Sequence, residues 1–195
     1  MKTVFIDVDT QIDFLYPAGA LYVPGAEKLL PRLAAVNRYA AAHGITVVST
    51  VDAHAENDPE FRDWPPHCVS GTAGQQKPRA TLLEKRVVVP STPGDYQGDY
   101  KIEGAQQIVV EKQWIDMFAG GNLASVLDRL NADRWVVYGV VTEYCVRSAV
   151  IGLLKTGKPV EVLSDAIQAL DESAGRATLD EIRDSILIHQ FNEGW

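Results

Sequence analysis

The sequence predicts an α/β fold, a doubly wound, mainly parallel six-stranded sheet with helices on both faces. Three observations carry this. Apolar runs of strand length alternate along the chain with segments of helical period. One of the runs, Ile45-Thr46-Val47-Val48-Ser49-Thr50-Val51, is rich in β-branched residues, as buried strands are. The 195 residues hold no internal repeat, low-complexity tract or linker. That length suits a single domain spanning residues 1–195, able to bury about 70% of the surface its unfolded chain exposes.

In chain order, residues 3–8 (Thr-Val-Phe-Ile-Asp-Val) read as the first strand. Residues 27–43 have helical spacing, with Leu29, Leu30, Leu33, Val36 and Tyr39 on one side, and Gly44 stops them. Residues 45–51 are the second strand, and 86–89 and 108–111 are two short ones. A helix over 123–130 leads to a strand over 135–138, then to a helix over 143–155 ended by Gly157 and Pro159. The sixth strand, 160–163, precedes a helix over 173–185 and a short apolar end at 186–189. Between Pro90 and Gln107 the chain is rich in Gly, Pro, Asp and Tyr; a turn-rich excursion of this length in a compact domain is expected to be functional or an interface.

The formal charge is −8, with acidic and basic residues interleaved. Nucleic acid and anionic membrane need clustered Lys and Arg, so neither is expected as a partner. The first residues reach Asp7 too soon for the apolar stretch of a signal peptide. No run of 18 apolar residues is present. Two cysteines, Cys68 and Cys145, cannot form a disulfide framework, and a reducing, cytoplasmic location is expected.

In open parallel sheets, ligands bind beyond the carboxyl ends of the strands. Past the first strand stands Asp9, past the second Asp52 and His54, past the strand at 108–111 Lys112, and past the strand at 135–138 Cys145. These residues should converge on one edge of the sheet. Thr142 is a natural N-cap, which puts Cys145 in a first helical turn, backed by Val146, Ala149, Val150, Leu153 and Leu154 at core spacing. There the helix dipole and free N–H groups would stabilise a thiolate, and the same N–H groups could hold an oxyanion. A buried, inert cysteine fits the position equally well. Asp9 shares a face with Asp7 by the two-residue period and reads alternatively as a turn cap. Lys112 taken alone reads as a surface lysine, but beside a carboxylate and a thiol it would hold the carboxylate charge and steady an anionic intermediate.

The segment from Asp52 to His67 is the metal candidate. Asp52 and His54 lie on one side of an extended chain, and His67 follows a rigid Pro65-Pro66. Two imidazoles with carboxylates suit Zn²⁺, Mn²⁺ or Fe²⁺ rather than Ca²⁺, and an acidic solvated loop with two unrelated histidines is the competing reading. His43 and His189 read as structural.

These motifs resemble those of the isochorismatase-like cysteine hydrolases, in particular the nicotinamidase branch. Val8-Asp9-Thr10-Gln11-Ile12-Asp13-Phe14 is similar to the family's V-D-x-Q-x-D-F, and Gly139-Val140-Val141-Thr142-Glu143-Tyr144-Cys145-Val146-Arg147 to its G-x-x-T-[DE]-x-C-V-R. Asp52-Ala53-His54 and Trp64-Pro65-Pro66-His67 resemble the branch's D-x-H and W-P-P-H elements. The resemblance implies a Cys145–Asp9–Lys112 triad, a cis peptide between Val140 and Val141, and an oxyanion site from the backbone N–H groups of Val141 and Cys145. It further implies one divalent metal, zinc first and manganese or iron as alternatives, held by Asp52, His54 and His67. Glu60 is the match for the fourth ligand, with Glu56 or Asp58 as other candidates. Phe14 and Trp64 would wall a pyridine ring, with Tyr144 a further substrate contact. The implied activity is hydrolysis of a small amide, nicotinamide to nicotinate and ammonia, by a homo-oligomer. Related family members act instead on carbamoyl, maleamate or ureido substrates, and a non-catalytic binding member is the remaining reading.

Overall fold

The computed structural model describes residues 1–91, 100–120 and 122–192. Strands β1 (Thr3–Val8), β2 (Thr46–Asp52), β3 (Arg86–Val89), β4 (Gln107–Lys112), β5 (Arg134–Val140), β6 (Val160–Gln168) and β7 (Leu187–His189) form one sheet in the order β3-β4-β2-β1-β5-β6-β7. Every strand pair is parallel. The helices are α1 (Ile12–Leu15), α2 (Leu30–Ala42), α3 (Asn122–Leu130), α4 (Arg147–Leu154) and α5 (Glu172–Ile182).

Alternation along β1 explains the two layers. Val4, Ile6 and Val8 face a core shared with Val126 and Leu127 of α3 and Ala149, Val150 and Leu153 of α4. Phe5 faces the opposite core, built with Leu33, Val36 and Ala40 of α2 and with Tyr138. The sheet is therefore doubly wound, as expected, with one strand more than the six read from sequence. The apolar end at 186–189 pairs as β7 along β6. Its three residues are too few for a period to show, and as an edge strand it leaves Leu187 58% exposed.

Elements also start differently at their ends. The helix expected from residue 27 opens with a 3₁₀ turn, Ala26–Leu29, and α-helix begins at Leu30 with Pro in its first turn, where the missing N–H costs nothing. β6 runs on to Gln168, past a bulge opposite Val137–Gly139. Of the excursion between Pro90 and Gln107, residues 92–99 lie outside the described residues; Ile102 packs into the α3 core.

Asp7 and Asp9 do not share partners. β1 ends at Val8, and Asp9 takes a left-handed φ of 48°, so the strand period stops between them. Asp7 is fully buried beside Lys77 Nζ (2.9 Å), with Thr10 Oγ1 (2.7 Å) and Ser49 Oγ (3.0 Å) donating to it. This ties the loop carrying Lys77 to β1.

The chain leaves β1 towards β2 and returns on its other side at β5. The carboxyl ends of these strands therefore border the crevice where such sheets bind ligands. At Gly139 a Cβ would lie 2.1 Å from the Val8 carbonyl oxygen, and φ is 121°, so only glycine lets β5 pass β1 there.

Candidate active site

Asp9, Lys112 and Cys145 meet in that crevice, 1%, 4% and 8% exposed. Lys112 Nζ lies 2.9 Å from Asp9 Oδ2, 2.5 Å from Asp52 Oδ1 and 3.8 Å from Cys145 Sγ. The Asp52 contact follows from register, because Asp52 and Lys112 are directly paired across β2 and β4. The approach to Asp9 Oδ2 is an ion pair without hydrogen-bond alignment, while Asp9 Oδ1 accepts from Thr50 Oγ1 at 2.6 Å. Burial alone would lower the Lys112 ammonium, but Asp52 and Asp9 hold it well above its ordinary value, so it stays charged.

Cys145 departs from expectation in two respects. Thr142 is not a cap: Val141 occupies the capping position with extended backbone, no side chain caps the helix, and Thr142–Val146 form a π turn. The Val141 carbonyl accepts from both Tyr144 and Val146 N–H, at 3.1 Å each, so the backbone closes the turn itself. The peptide between Val140 and Val141 is cis, as the resemblance implied. The second departure concerns the thiol. Burial pushes it well above its ordinary value; Lys112 pulls it down, while the Asp9 and Asp52 carboxylates push it further up. The balance favours the neutral thiol over a preformed thiolate, and Lys112 Nζ is the side-chain donor facing Sγ, at 3.8 Å.

Beside this cluster, ligand atoms of Asp52, His54 and His67 lie within 4.8 Å of one another, all buried. One nitrogen of each ring is disposed to bind a cation. His67 Nδ1 faces the Pro65 carbonyl at 2.8 Å, which fixes the proton there and leaves the Nε2 lone pair free. His54 Nδ1 lies 3.1 Å from Asp58 Oδ2, and its Nε2 is fully buried with no hydrogen-bond partner, 4.0 Å from Asp52 Oδ1. Burial lowers the His67 imidazolium, favouring the neutral ring that ligation needs. A buried acceptor nitrogen aimed at a carboxylate and a second imidazole fits a divalent metal of the zinc type.

Glu60 Oε1 stands 4.0 Å from His67 Nε2, and burial raises its carboxyl. Asp58, a rival for the fourth ligand, is occupied by His54 and by the Glu60 N–H (2.9 Å). Glu56 is exposed. Two further residues brace the loop: Gln11 binds the backbone of Asp52, and Asp13 Oδ2 accepts from the Cys68 N–H at 2.7 Å, next to His67. The second contact needs Gly74, where a Cβ would fall 2.1 Å from the Asp13 carboxylate.

A small pocket opens over Cys145, lined by Phe14, Trp64 and Tyr144 together with Asp52, Glu60 and His67. The remaining wall, Leu21, Val23, Ile115, Val140, Val141 and Leu170, is apolar; apart from Val141 it was not foreseen. Trp64 and Tyr144 meet edge to face at 5.2 Å. Leu21, Val23 and Leu170 come from loops of no period, so pattern could not have flagged them. Among the described lining residues there is no Lys or Arg.

The sequence model of the isochorismatase domain family matches residues 3–191. The nicotinamidase/pyrazinamidase of Mycobacterium tuberculosis is 29% identical over 191 residues, covering 94% of this chain and 95% of that protein. The crystal structure of a pyrazinamidase of Pyrococcus horikoshii in complex with zinc superposes with a TM-score of 0.82 at 30% identity, covering 98% and 100% of the two chains. That of PnC1 from L. infantum in complex with nicotinate gives 0.75 at 28% identity, over 97% and 92%.

Proposed function

This chain belongs to the isochorismatase family, and from that premise we propose that it is a metal-assisted cysteine amidohydrolase that converts nicotinamide and water to nicotinate and ammonia. The observation that carries the reading is one buried cluster beneath the pocket, in which Lys112 joins the Cys145–Asp9 pair to Asp52 of the two-histidine cluster. The similarity to enzymes named as nicotinamidases supports it.

Asp9 takes the thiol proton as Cys145 Sγ attacks the carboxamide carbon. The backbone N–H groups of Val141 and Cys145 hold the oxyanion. As the C–N bond breaks, Asp9 returns the proton to the leaving nitrogen, and ammonia departs from a Cys145 thioester. A water deprotonated by Asp9 then attacks the thioester, releasing nicotinate and regenerating the thiol. Lys112, 2.9 Å from Asp9 Oδ2, lowers the cost of the developing thiolate, which burial opposes. Asp52, His54 and His67 would hold the metal, with Glu60 as the fourth ligand; when bound, it supplies a Lewis-acid anchor for the ring nitrogen. Phe14, Trp64 and Tyr144 wall the ring. We take the metal to be zinc, the location cytoplasmic and the assembly a homo-oligomer; among the described residues no helix is long and apolar enough to cross a membrane.

The make-up of the pocket wall supports this reading over carbamoyl or maleamate hydrolysis. Apart from Asp52, Glu60 and His67, assigned above to the metal, the described lining residues are apolar or aromatic around Cys145, so a substrate carboxylate would find no Lys or Arg there. Ammonia release over a panel of nicotinamide, maleamate, carbamoyl and ureido compounds, with and without chelator, tests this. Nicotinamide is expected to lead in kcat/KM by at least ~10-fold and to lose activity on chelation. A lead for an anionic substrate overturns the reading.

A further inference from the structure

Gln11 stands two residues past the candidate base, Asp9, fully buried, and takes no part in the chemistry above. Its side chain nevertheless occupies a specific place in the sheet. The β1–β2 ladder ends at the Val8–Thr50 pair, with one further bond from Asp9 N–H to the Thr50 carbonyl at 3.1 Å. Asp9 then turns away through its left-handed φ, and β2 runs on to Asp52 with no β1 backbone beside it. On the opposite edge β2 still has a neighbour, since the Ala53 N–H donates to the Lys112 carbonyl at 2.9 Å.

The Gln11 amide fills the vacated edge. Its Oε1 accepts from the Asp52 N–H at 2.7 Å, and its Nε2 donates to the Asp52 carbonyl at 2.8 Å and to the Gln75 carbonyl at 2.8 Å. Only one orientation of the amide satisfies an N–H on one side and two carbonyls on the other, so its geometry is over-determined. A side chain thus stands in for a peptide of the missing strand and grips Asp52 by both backbone groups. Asp52 is the residue on which the two halves of the site depend: its carboxylate reaches Lys112 and belongs to the two-histidine cluster.

We propose that Gln11 is a positioning residue, a surrogate β-strand partner that fixes the Asp52 peptide and thereby sets the metal affinity of the Asp52–His54–His67 cluster. This deepens the metal-assisted reading above and rests on it. Gln11 does not line the pocket; it acts through Asp52.

A matched control exists in the same sheet. Gln107 is also fully buried, and its amide also makes three bonds, from Leu83 N–H (2.8 Å), to Ser49 Oγ (2.9 Å) and to the Thr81 carbonyl (3.1 Å). None of those partners belongs to the metal cluster. Gln11→Met and Gln107→Met remove comparable bonds at nearly constant volume, so a purely structural role costs both proteins stability alike.

The test titrates Co²⁺ into chelator-stripped full-length protein, following the visible d–d absorption, with melting temperatures recorded in parallel. Gln11→Met is expected to bind Co²⁺ at least ~10-fold more weakly than the unsubstituted protein, while Gln107→Met binds as the unsubstituted protein does despite a lower melting temperature. Equal Co²⁺ affinity in Gln11→Met and the unsubstituted protein overturns the proposal, as does an equal loss in Gln107→Met. If Gln11→Met does not fold, Gln11→Asn, which keeps the amide but withdraws it by one methylene, takes its place under the same criteria. Failure of both to fold makes Gln11 purely structural and also overturns it. An unsubstituted protein that binds no Co²⁺ overturns the metal-assisted reading itself, a separate outcome read before any variant is compared.

Discussion

Replacing Lys112 with Met tests the electrostatic centre of the site, because one ammonium serves three groups there. In the native protein Nζ lies 2.5 Å from Asp52 Oδ1, 2.9 Å from Asp9 Oδ2 and 3.8 Å from Cys145 Sγ, in a setting only 4% exposed. Methionine keeps the apolar stem and removes the charge, leaving two buried carboxylates without their cation. Breaking a buried ion pair by deleting one partner costs about 3–5 kcal/mol. For a chain of 195 residues each kcal/mol moves the melting temperature by ~2–4 °C, so a fall of about 6–20 °C is expected in chelator-treated protein. Calorimetry under those conditions reads it without interference from bound cation. Activity is expected to drop by at least ~100-fold, since the variant lacks the charge that offsets the buried thiolate. A melting temperature within ~2 °C of the native value, with ammonia release intact, would refute the claim that Lys112 holds the two carboxylates together.

Three further substitutions probe the frame of the fold. Gly139→Ala places a Cβ 2.1 Å from the Val8 carbonyl oxygen at φ 121° and is expected to cost at least ~2 kcal/mol; Gly44→Ala, at φ 67° with nothing within 4 Å, should cost ~1 kcal/mol in the same urea titration. Asp171 caps α5 through the Ala174 N–H, and the Ser173 hydroxyl, then that N–H, hold its carboxyl below its usual range. A lowered folded-state value means the stabilisation is complete above the unfolded value of about 3.9 and is lost as pH falls through the folded one. Asp171→Ala should therefore melt lower than the native protein at pH 6, and thermal melts from pH 6 to pH 2 should show the gap closing.

The residues proposed to carry the chemistry were legible because each is a polar group at or just beyond the end of an apolar strand. Asp9, Asp52, Lys112 and Cys145 all fall in that position, and a parallel sheet gathers its carboxyl ends on one edge. What joins them was not legible. The Asp52–Lys112 contact depends on the β2–β4 register, and nothing local to either strand encodes it. Thr142 has the composition of a cap, yet the chain enters through a cis peptide and closes a π turn on the Val141 carbonyl, so local propensity misled there. The thiol illustrates a different limit: helix-terminus reasoning favours a thiolate, but burial, which depends on the whole pocket, outweighs it. Gln11 was visible only as a letter in a motif; its purpose appears once β1 turns away and leaves Asp52 without a neighbour. The seventh strand and the loop-borne pocket walls likewise exist only through long-range pairing.

Ammonia release by the metal-loaded Cys145→Ala protein bears most directly on the thioester route. The substitution removes one sulfur at the floor of the pocket and leaves Asp9, Lys112 and the two-histidine cluster in place. With Co²⁺ binding and melting temperature verified as native, no release from nicotinamide above the uncatalysed background is expected. Hydrolysis within ~10-fold of the native rate would mean that water attacks the amide directly, and that Cys145 is not the nucleophile.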